Sequence, residues 1–415
     1  MSDKCGAIFM DPVIDAAAGA LASGDPLGAL NRVALRNDAA ALALRGIAMA
    51  QIGDLPRARS LVRAAARAFG PEAGVERARC AVAEAEIALA LRDLTHPTLP
   101  LDTAADALDR GGDRLNAAYA RYLAARRLLL IGRVEDAARA AGVLDAAALP
   151  AAFRAAHGLV VAGIAVRRLR AGEARAALAL AQRDARRAGV PALLAEVEAA
   201  ALVLETPAAR LVARGGERLL KLDEVERVMA TDAVIVDASR YAVRHEGRAV
   251  VLASRPVLFA LARSLATAWP GDAPREALLA EAFHARHADE SHRARLRVEI
   301  GRLRKALEGI ADITATRRGF RLSAPGAAEV VVLAPPADDE HAAVLALLAD
   351  GELWSSSALA LALGVSQRTA QRALDTLASA GKVQSVGRAR ARRWMTPPTP
   401  GFPTSLLLPA LLLGR

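Results

Sequence analysis

Aromatic residues are scarce: three Trp, three Tyr and seven Phe in 415 residues, 3% of the chain. So few rings exclude an aromatic-rich β-sandwich core. The 53% hydrophobic content must come largely from Ala and Leu, which suits closely packed helices. Only two cysteines occur, Cys5 and Cys80, so no disulfide framework stiffens the fold and a reducing, cytoplasmic setting is expected. No apolar run reaches membrane-spanning length. The most apolar stretch, Ser405–Gly414, is short and broken by Pro409, and Asp3 and Asp11 bracket the early apolar residues where a secretory signal would lie. Neither a GxxxxGK phosphate loop nor a GxSxG elbow is present, so no catalytic constellation and no cofactor are expected.

What is abundant is positive charge. The formal net charge is +10 and the sequence pI about 10.5, which suits a polyanionic partner. Nearly all the basic side chains are Arg in an Ala-rich chain, a composition that a GC-rich genome produces whatever the function. Local clustering therefore carries more weight than the total.

The clearest cluster is SHRARLRVEIGRLRKALEGIADITATRRGFRL, from Ser291 to Leu322. Leu296, Ile300, Leu303 and Leu307 share one narrow face at 100° per residue, the face a helix buries. Ala294, Val298, Gly301, Arg302 and Lys305 point the other way, with Arg295 and Arg297 on the flanks. Small residues beside cations fit a DNA major groove, where Arg pairs with phosphate or guanine edges and an outward Val meets a thymine methyl. After Gly309 the segment ITATRRGFRL alternates as a hairpin with a tight turn at Gly319.

RLRVEIGRLRKAL followed by ITATRRGFRL resembles the OmpR/PhoB-type winged helix of bacterial response regulators. AVIVD, YAVRHEG and RAVVLA (residues 233–253) resemble the short strands that precede the first helix of that family. Residues 255–269 resemble its first helix and residues 274–283 its second, with Pro274 at a helix start. The resemblance implies a DNA-binding domain over residues 230–325. Arg302, Arg304 and Lys305 match basic positions of that family; with Arg295, Arg297 and Val298 from the outward face of the helix and Arg317 and Arg318 near the hairpin tip, they are the expected DNA contacts. The family usually carries arginine where this chain has Ala294 and Gly301, and often where it has Thr316. The loop at 284–292 corresponds to one that contacts RNA polymerase in that family. It holds His284, His287 and His292 beside Asp289 and Glu290, and a solvated loop is the expected reading, not a metal site. No receiver domain with a phosphoacceptor Asp is recognisable.

A second pattern follows at residues 338–396. His341–Gly351 and Ser355–Gly364 read as helices, and Ser366 caps a third over Gln367–Gly381. Lys382–Met395 then alternates about a Gly-centred turn. Ala370, Ala373, Leu374 and Leu377 face a core; Arg368, Gln371 and Arg372 face outward with Thr369 at the flank, side chains that read base edges. Between Ser366 and Trp394 seven basic residues oppose one acidic residue, so Arg388, Arg390, Arg392 and Arg393 are expected on phosphates. This segment is similar to many small bacterial winged-helix repressors.

Residues 1–210 read as helices throughout. The phrases SGDPLGAL (23–30), IGDLPRAR (52–59), IGRVEDAAR (131–139) and AGEARAAL (171–178) mark turns of a degenerate repeat of about 40 residues. Residues 43–71 resemble a tetratricopeptide unit. Stacked pairs of this kind form a groove for a peptide, a protein or a second copy of the chain. Residues 211–229 are expected as a linker helix, 326–337 as a second linker and 397–415 as a tail.

The expected fold is mainly α: a tetratricopeptide-like α-solenoid followed by two α+β winged-helix domains. The expected function is a cytoplasmic, sequence-specific regulator of transcription that binds double-stranded DNA, is homo-oligomeric and takes its input through the repeats. The alternative is a protein-interaction scaffold whose winged helices bind protein. The two differ in whether the C-terminal half binds duplex DNA in a salt-dependent way.

Overall fold

The computed structural model describes residues 11–91, 93, 99–214, 216–252, 254–283, 290–327, 329–336, 341–348, 353–380, 382–387 and 392–395. They fall into two compact units. One comprises described residues within 1–167, 173–201 and 343–395, the other those within 168–172 and 202–342. No helix among the described residues is long and apolar enough to cross a membrane.

The amino-terminal region is a repeat-like series of helix pairs. They are α1 (Pro12–Ala22), α2 (Pro26–Val33), α3 (Ala39–Ile52), α4 (Leu55–Ala68), α5 (Gly74–Ala90), α6 (Leu99–Arg110), α7 (Arg114–Leu130), α8 (Val134–Gly142), α9 (Ala151–Arg167), α10 (Ala171–Ala188) and α11 (Pro191–Leu202). From α1 to α9 each helix packs on the next, and α1, α3, α5, α7 and α9 also pack in succession on one another. That double set of contacts is how stacked pairs bury faces that one pair leaves exposed. Small residues set the spacing. A Cβ on Gly46 of α3 would lie 2.7 Å from Val62 of α4, and one on Gly158 of α9 would lie 2.9 Å from Ala181 of α10.

The recurring turn phrases have a common physical cause. Gly24, Gly53 and Gly132 of the first three phrases take the left-handed conformation, as does Gly112 in the turn between α6 and α7. The residue after each glycine donates its N–H five residues back, to Ala20, Met49, Leu108 and Leu128, which closes the helix end. Asp25, Asp54 and Asp113 then cap the next helix, accepting from Gly28, Arg57 and Asn116. The fourth phrase differs from expectation. Gly172 lies inside the first turn of α10, and the left-handed residue before that helix is Leu169, at φ 60°.

The second unit is mixed α+β. Residues 211–229, expected as a linker helix, instead hold most of a hairpin, β1 (Ala209–Ala213) and β2 (Gly216–Leu220), followed by α12 (Leu222–Met229). Strands β3 (Val234–Asp237), β4 (Ala242–His245) and β5 (Arg248–Val251) come next. They precede α13 (Pro256–Ala268), β6 (Ala273–Pro274), α14 (Arg275–Phe283), α15 (Glu290–Ala306), β7 (Asp312–Ala315) and β8 (Gly319–Ser323). The segment expected as a second linker contains β9 (Val330–Ala334), which pairs antiparallel with β1 and parallel with β3. The resulting six-stranded sheet has the order β2-β1-β9-β3-β4-β5. VVVLA is buried at every position and lies between two strands; a continuous apolar run is what a strand covered on both faces requires. Ile235 and Val331 meet Val225 of α12 on one face of the sheet, while Val234 and Val332 join the core of α13, α14 and α15 on the other.

The carboxyl-terminal segment holds α16 (Ala342–Leu348), α17 (Ser356–Leu363), α18 (Gln367–Ser379), β10 (Gln384–Val386) and β11 (Arg393–Met395). Ser355 and Ser366 cap α17 and α18 as expected. Trp354 and Trp394 exchange two backbone hydrogen bonds, of 2.8 and 2.7 Å, and both rings are buried.

Candidate nucleic-acid interface

Leu296, Ile300, Leu303 and Leu307 are all buried against α13 and α14, so the opposite face of α15 must be solvent-exposed. That face carries Ala294, Val298, Gly301, Arg302 and Lys305, all exposed, with Arg293, Arg295 and Arg297 on the amino-terminal turns. Val298 is 54% exposed. A Cβ on Gly301 would meet nothing within 4 Å, so this position is open to solvent and is not a packing contact.

The cations are held to different degrees. Arg297 reaches Glu290 at 2.9 Å and Arg302 reaches Glu299 at 2.8 Å. Both arginines are about two-thirds exposed, and exposed pairs of this kind contribute about 0–1 kcal/mol, so exchanging them for phosphate costs little. The Arg295 guanidinium lies over the Phe283 ring, 4.7 Å from its centroid. Arg304 is tethered: its Nε donates to the Ile313 carbonyl at 2.7 Å, which ties α15 to β7. Arg304 is nevertheless exposed, so this contact orients its guanidinium as well as holding the strand. Lys305, Arg317 and Arg318 are exposed and make no ion pair among the described residues.

The hairpin tip is built by residues that sequence reading passed over. Arg275 at the start of α14 donates to the carbonyls of Arg317 and Thr316, at 2.8 and 2.9 Å, and its guanidinium lies over Phe320. The Thr316 hydroxyl accepts from the Gly319 N–H at 3.0 Å. Nearby, the Asp272 carboxylate accepts from Arg321 at 2.8 Å, and Thr316 first, then Arg321, hold its pKa below the usual carboxylate range. A Cβ on Gly319 would lie 1.9 Å from the Ala273 carbonyl, so only glycine lets β8 approach β6. These contacts fix the backbone and leave the Arg317 and Arg318 side chains projecting from the tip. The one sequence signal for this device is the Arg–Glu start of α14 directly after Pro274.

In the carboxyl-terminal segment Ala370, Ala373, Leu374 and Leu377 are buried, and Arg368, Thr369 and Arg372 are exposed on the other side of α18. Gln371 is half-buried and donates to Asp375 at 2.9 Å. Thr369 is bound to the Ser366 hydroxyl at 2.8 Å, so it belongs to the cap and has less freedom to reach a base. Arg392 stacks on Trp394 at 4.1 Å from the ring centroid, and Arg393 donates to the Arg392 carbonyl. Arg388 and Arg390 lie outside the described residues, as do residues 284–289 of the histidine-bearing loop. Among the described residues no His, Cys, Asp and Glu cluster could hold a metal ion. Cys80 is buried among α3–α5, and burial pushes its thiol pKa up to about 12; such a thiol is inert as a nucleophile.

No family model, curated protein or solved structure matches this chain.

Proposed function

We propose that this protein is a sequence-specific DNA-binding regulator of transcription. In this reading residues 230–325 form an OmpR/PhoB-type winged helix, residues 338–396 form a second winged helix-turn-helix, and the tetratricopeptide-like array receives a protein signal or a second copy of the chain. The observation that carries the reading is the pairing of α15 with the β7–β8 hairpin. The helix buries one leucine-rich stripe and exposes Val298, Gly301, Arg302 and Lys305 opposite it. The hairpin that follows has a backbone held by Arg275 and two exposed cations, Arg317 and Arg318, at its tip. A helix of this kind fits a major groove, and an arginine-tipped hairpin beside it fits the adjacent backbone or minor groove. In α18, Arg368 and Arg372 are exposed opposite the buried stripe, which supports the same role for that helix.

The second reading is a scaffold whose helix–hairpin units bind protein. It draws on the internal pairs Arg302–Glu299 and Arg297–Glu290, which lower the free positive charge of α15. Titration of the full-length protein with random duplex at several salt concentrations, followed by selection of bound sequences, separates the two. A steep salt slope and an enriched motif are expected. No duplex binding at low salt would exclude the regulator and leave the scaffold.

A further inference from the structure

The pair α9–α10 carries a surface that DNA binding does not use. A groove of about 810 Å³ runs along it. Its floor is apolar: Gly158 and Ala177 let the two helices approach closely, and Val161 lies beside them. Leu180 on its wall is 53% exposed, an apolar side chain with no cover. The rim is cationic. Arg154 donates to Asp184 at 2.6 Å and to the Leu149 carbonyl at 2.7 Å. Asp184 is held below the usual carboxylate range by Arg154 first, with Arg187 and Arg183 adding to it. One carboxylate thus faces three guanidinium groups, and Arg183 and Arg187 are exposed.

We infer that this groove binds an acidic amphipathic helix of a partner protein, its apolar stripe on Leu180 and Val161 and its carboxylates on Arg183 and Arg187. Charge complementarity selects the occupant. A nucleic acid backbone would meet the arginines but leave the apolar floor unfilled. A two-fold contact with a second copy would set the same cationic rim against itself, in a chain whose net charge is already +10. An acidic helix satisfies both the floor and the rim, as in helix-in-groove recognition. The inference deepens the expectation that the helical array is the protein-facing part, and it does not depend on DNA binding by the C-terminal half.

The test uses the full-length protein and a fluorescein-labelled peptide of about four helical turns, with leucines at i, i+3, i+4 and i+7 and glutamates flanking them. Saturable binding that weakens with salt is expected. Arg183→Glu with Arg187→Glu, and separately Leu180→Asp, should each weaken it by about tenfold or more. Arg183→Lys with Arg187→Lys should retain most of it. All three side chains are exposed, so helicity and melting temperature should be unchanged, and duplex DNA binding, read in parallel, should be unaffected. The inference is overturned if a lysine version of the peptide binds equally well, or if no peptide binds at low salt. It is equally overturned if the charge-reversed protein loses duplex binding without ever binding peptide, or if Leu180→Asp only converts a dimer into a monomer in light scattering.

Discussion

Gly301 sits at the centre of the exposed face of α15, and nothing lies within 4 Å of the place its Cβ would occupy. Replacing it therefore meets no steric obstacle, and the residue leaves behind the entropic cost of glycine in a helix, about 0.8–1.0 kcal/mol. On the proposed reading Gly301→Arg gains both ways. It should raise thermal stability slightly and tighten duplex binding, with a salt slope steeper by about one counterion. A melting curve and a salt titration check both; tighter folding without tighter binding would count against α15 as the DNA-facing helix. Arg302→Ala should do the reverse, and an equal loss on specific and random duplex would mark Arg302 as a phosphate contact. Arg304→Ala belongs to a different category because its Nε holds the Ile313 carbonyl. It should cost about 1 kcal/mol of stability in denaturant titration, beyond any effect on binding. Residue by residue, the buried stripe of α15 was legible from periodicity alone. The tether of Arg304 was not, since a carbonyl nine residues away leaves no mark on the pattern of side chains.

At the scale of elements, the hairpin tip and the helix caps are the places where short stretches are decisive. Gly319→Ala would drive a methyl into the Ala273 carbonyl. It should separate β8 from β6 and cost more than about 2 kcal/mol, well above an ordinary surface substitution. The Asp272 carboxyl, beside Thr316 and hydrogen-bonded by Arg321, has its folded pKa below the ordinary carboxylate range. Its contribution is therefore fully present above that range and lost as pH falls through the depressed folded value. Asp272→Asn should remove this acid-side loss of hairpin order, as followed by the pH dependence of amide shifts at Thr316 and Gly319. In the array, Asp54→Ala removes the cap of α4 at a cost of about 1 kcal/mol, measurable by chemical denaturation. The helix caps and the turn glycines were readable in advance because they are written in residues a few positions apart, whereas the contacts of Arg275, Asp272 and Ala273 with the hairpin come from distant parts of the chain. The α10 entry shows the boundary of that logic: Leu169 takes the left-handed conformation where the glycine pattern pointed to Gly172.

On the scale of the whole molecule, two helix–hairpin units in one chain make a statement about binding to long duplexes. If both contact the same site, their contributions multiply through effective concentration. Arg302→Ala and Arg368→Ala should then each weaken binding to a selected long site, and together by the product of the two factors, as anisotropy would read. On a short duplex that holds one half-site, only one of the substitutions should matter. The sequence by itself determined the mainly helical character, three of the four marked turns, the order of helices and hairpins after residue 230, and the amphipathic faces of α15 and α18. All of these follow from periodicity and from capping chemistry within a few residues. Only the tertiary structure decided the membership of the six-stranded sheet. The β1–β2 hairpin occupies a segment that reads as a linker helix; VVVLA reads locally as a strand, but nothing in it names its partners, and β9 lies parallel to β3 across nearly a hundred residues of intervening chain. Strand pairing of that range depends on which backbone edge is free after the helices have packed. That is a property of the assembled core, and no local run of residues carries it.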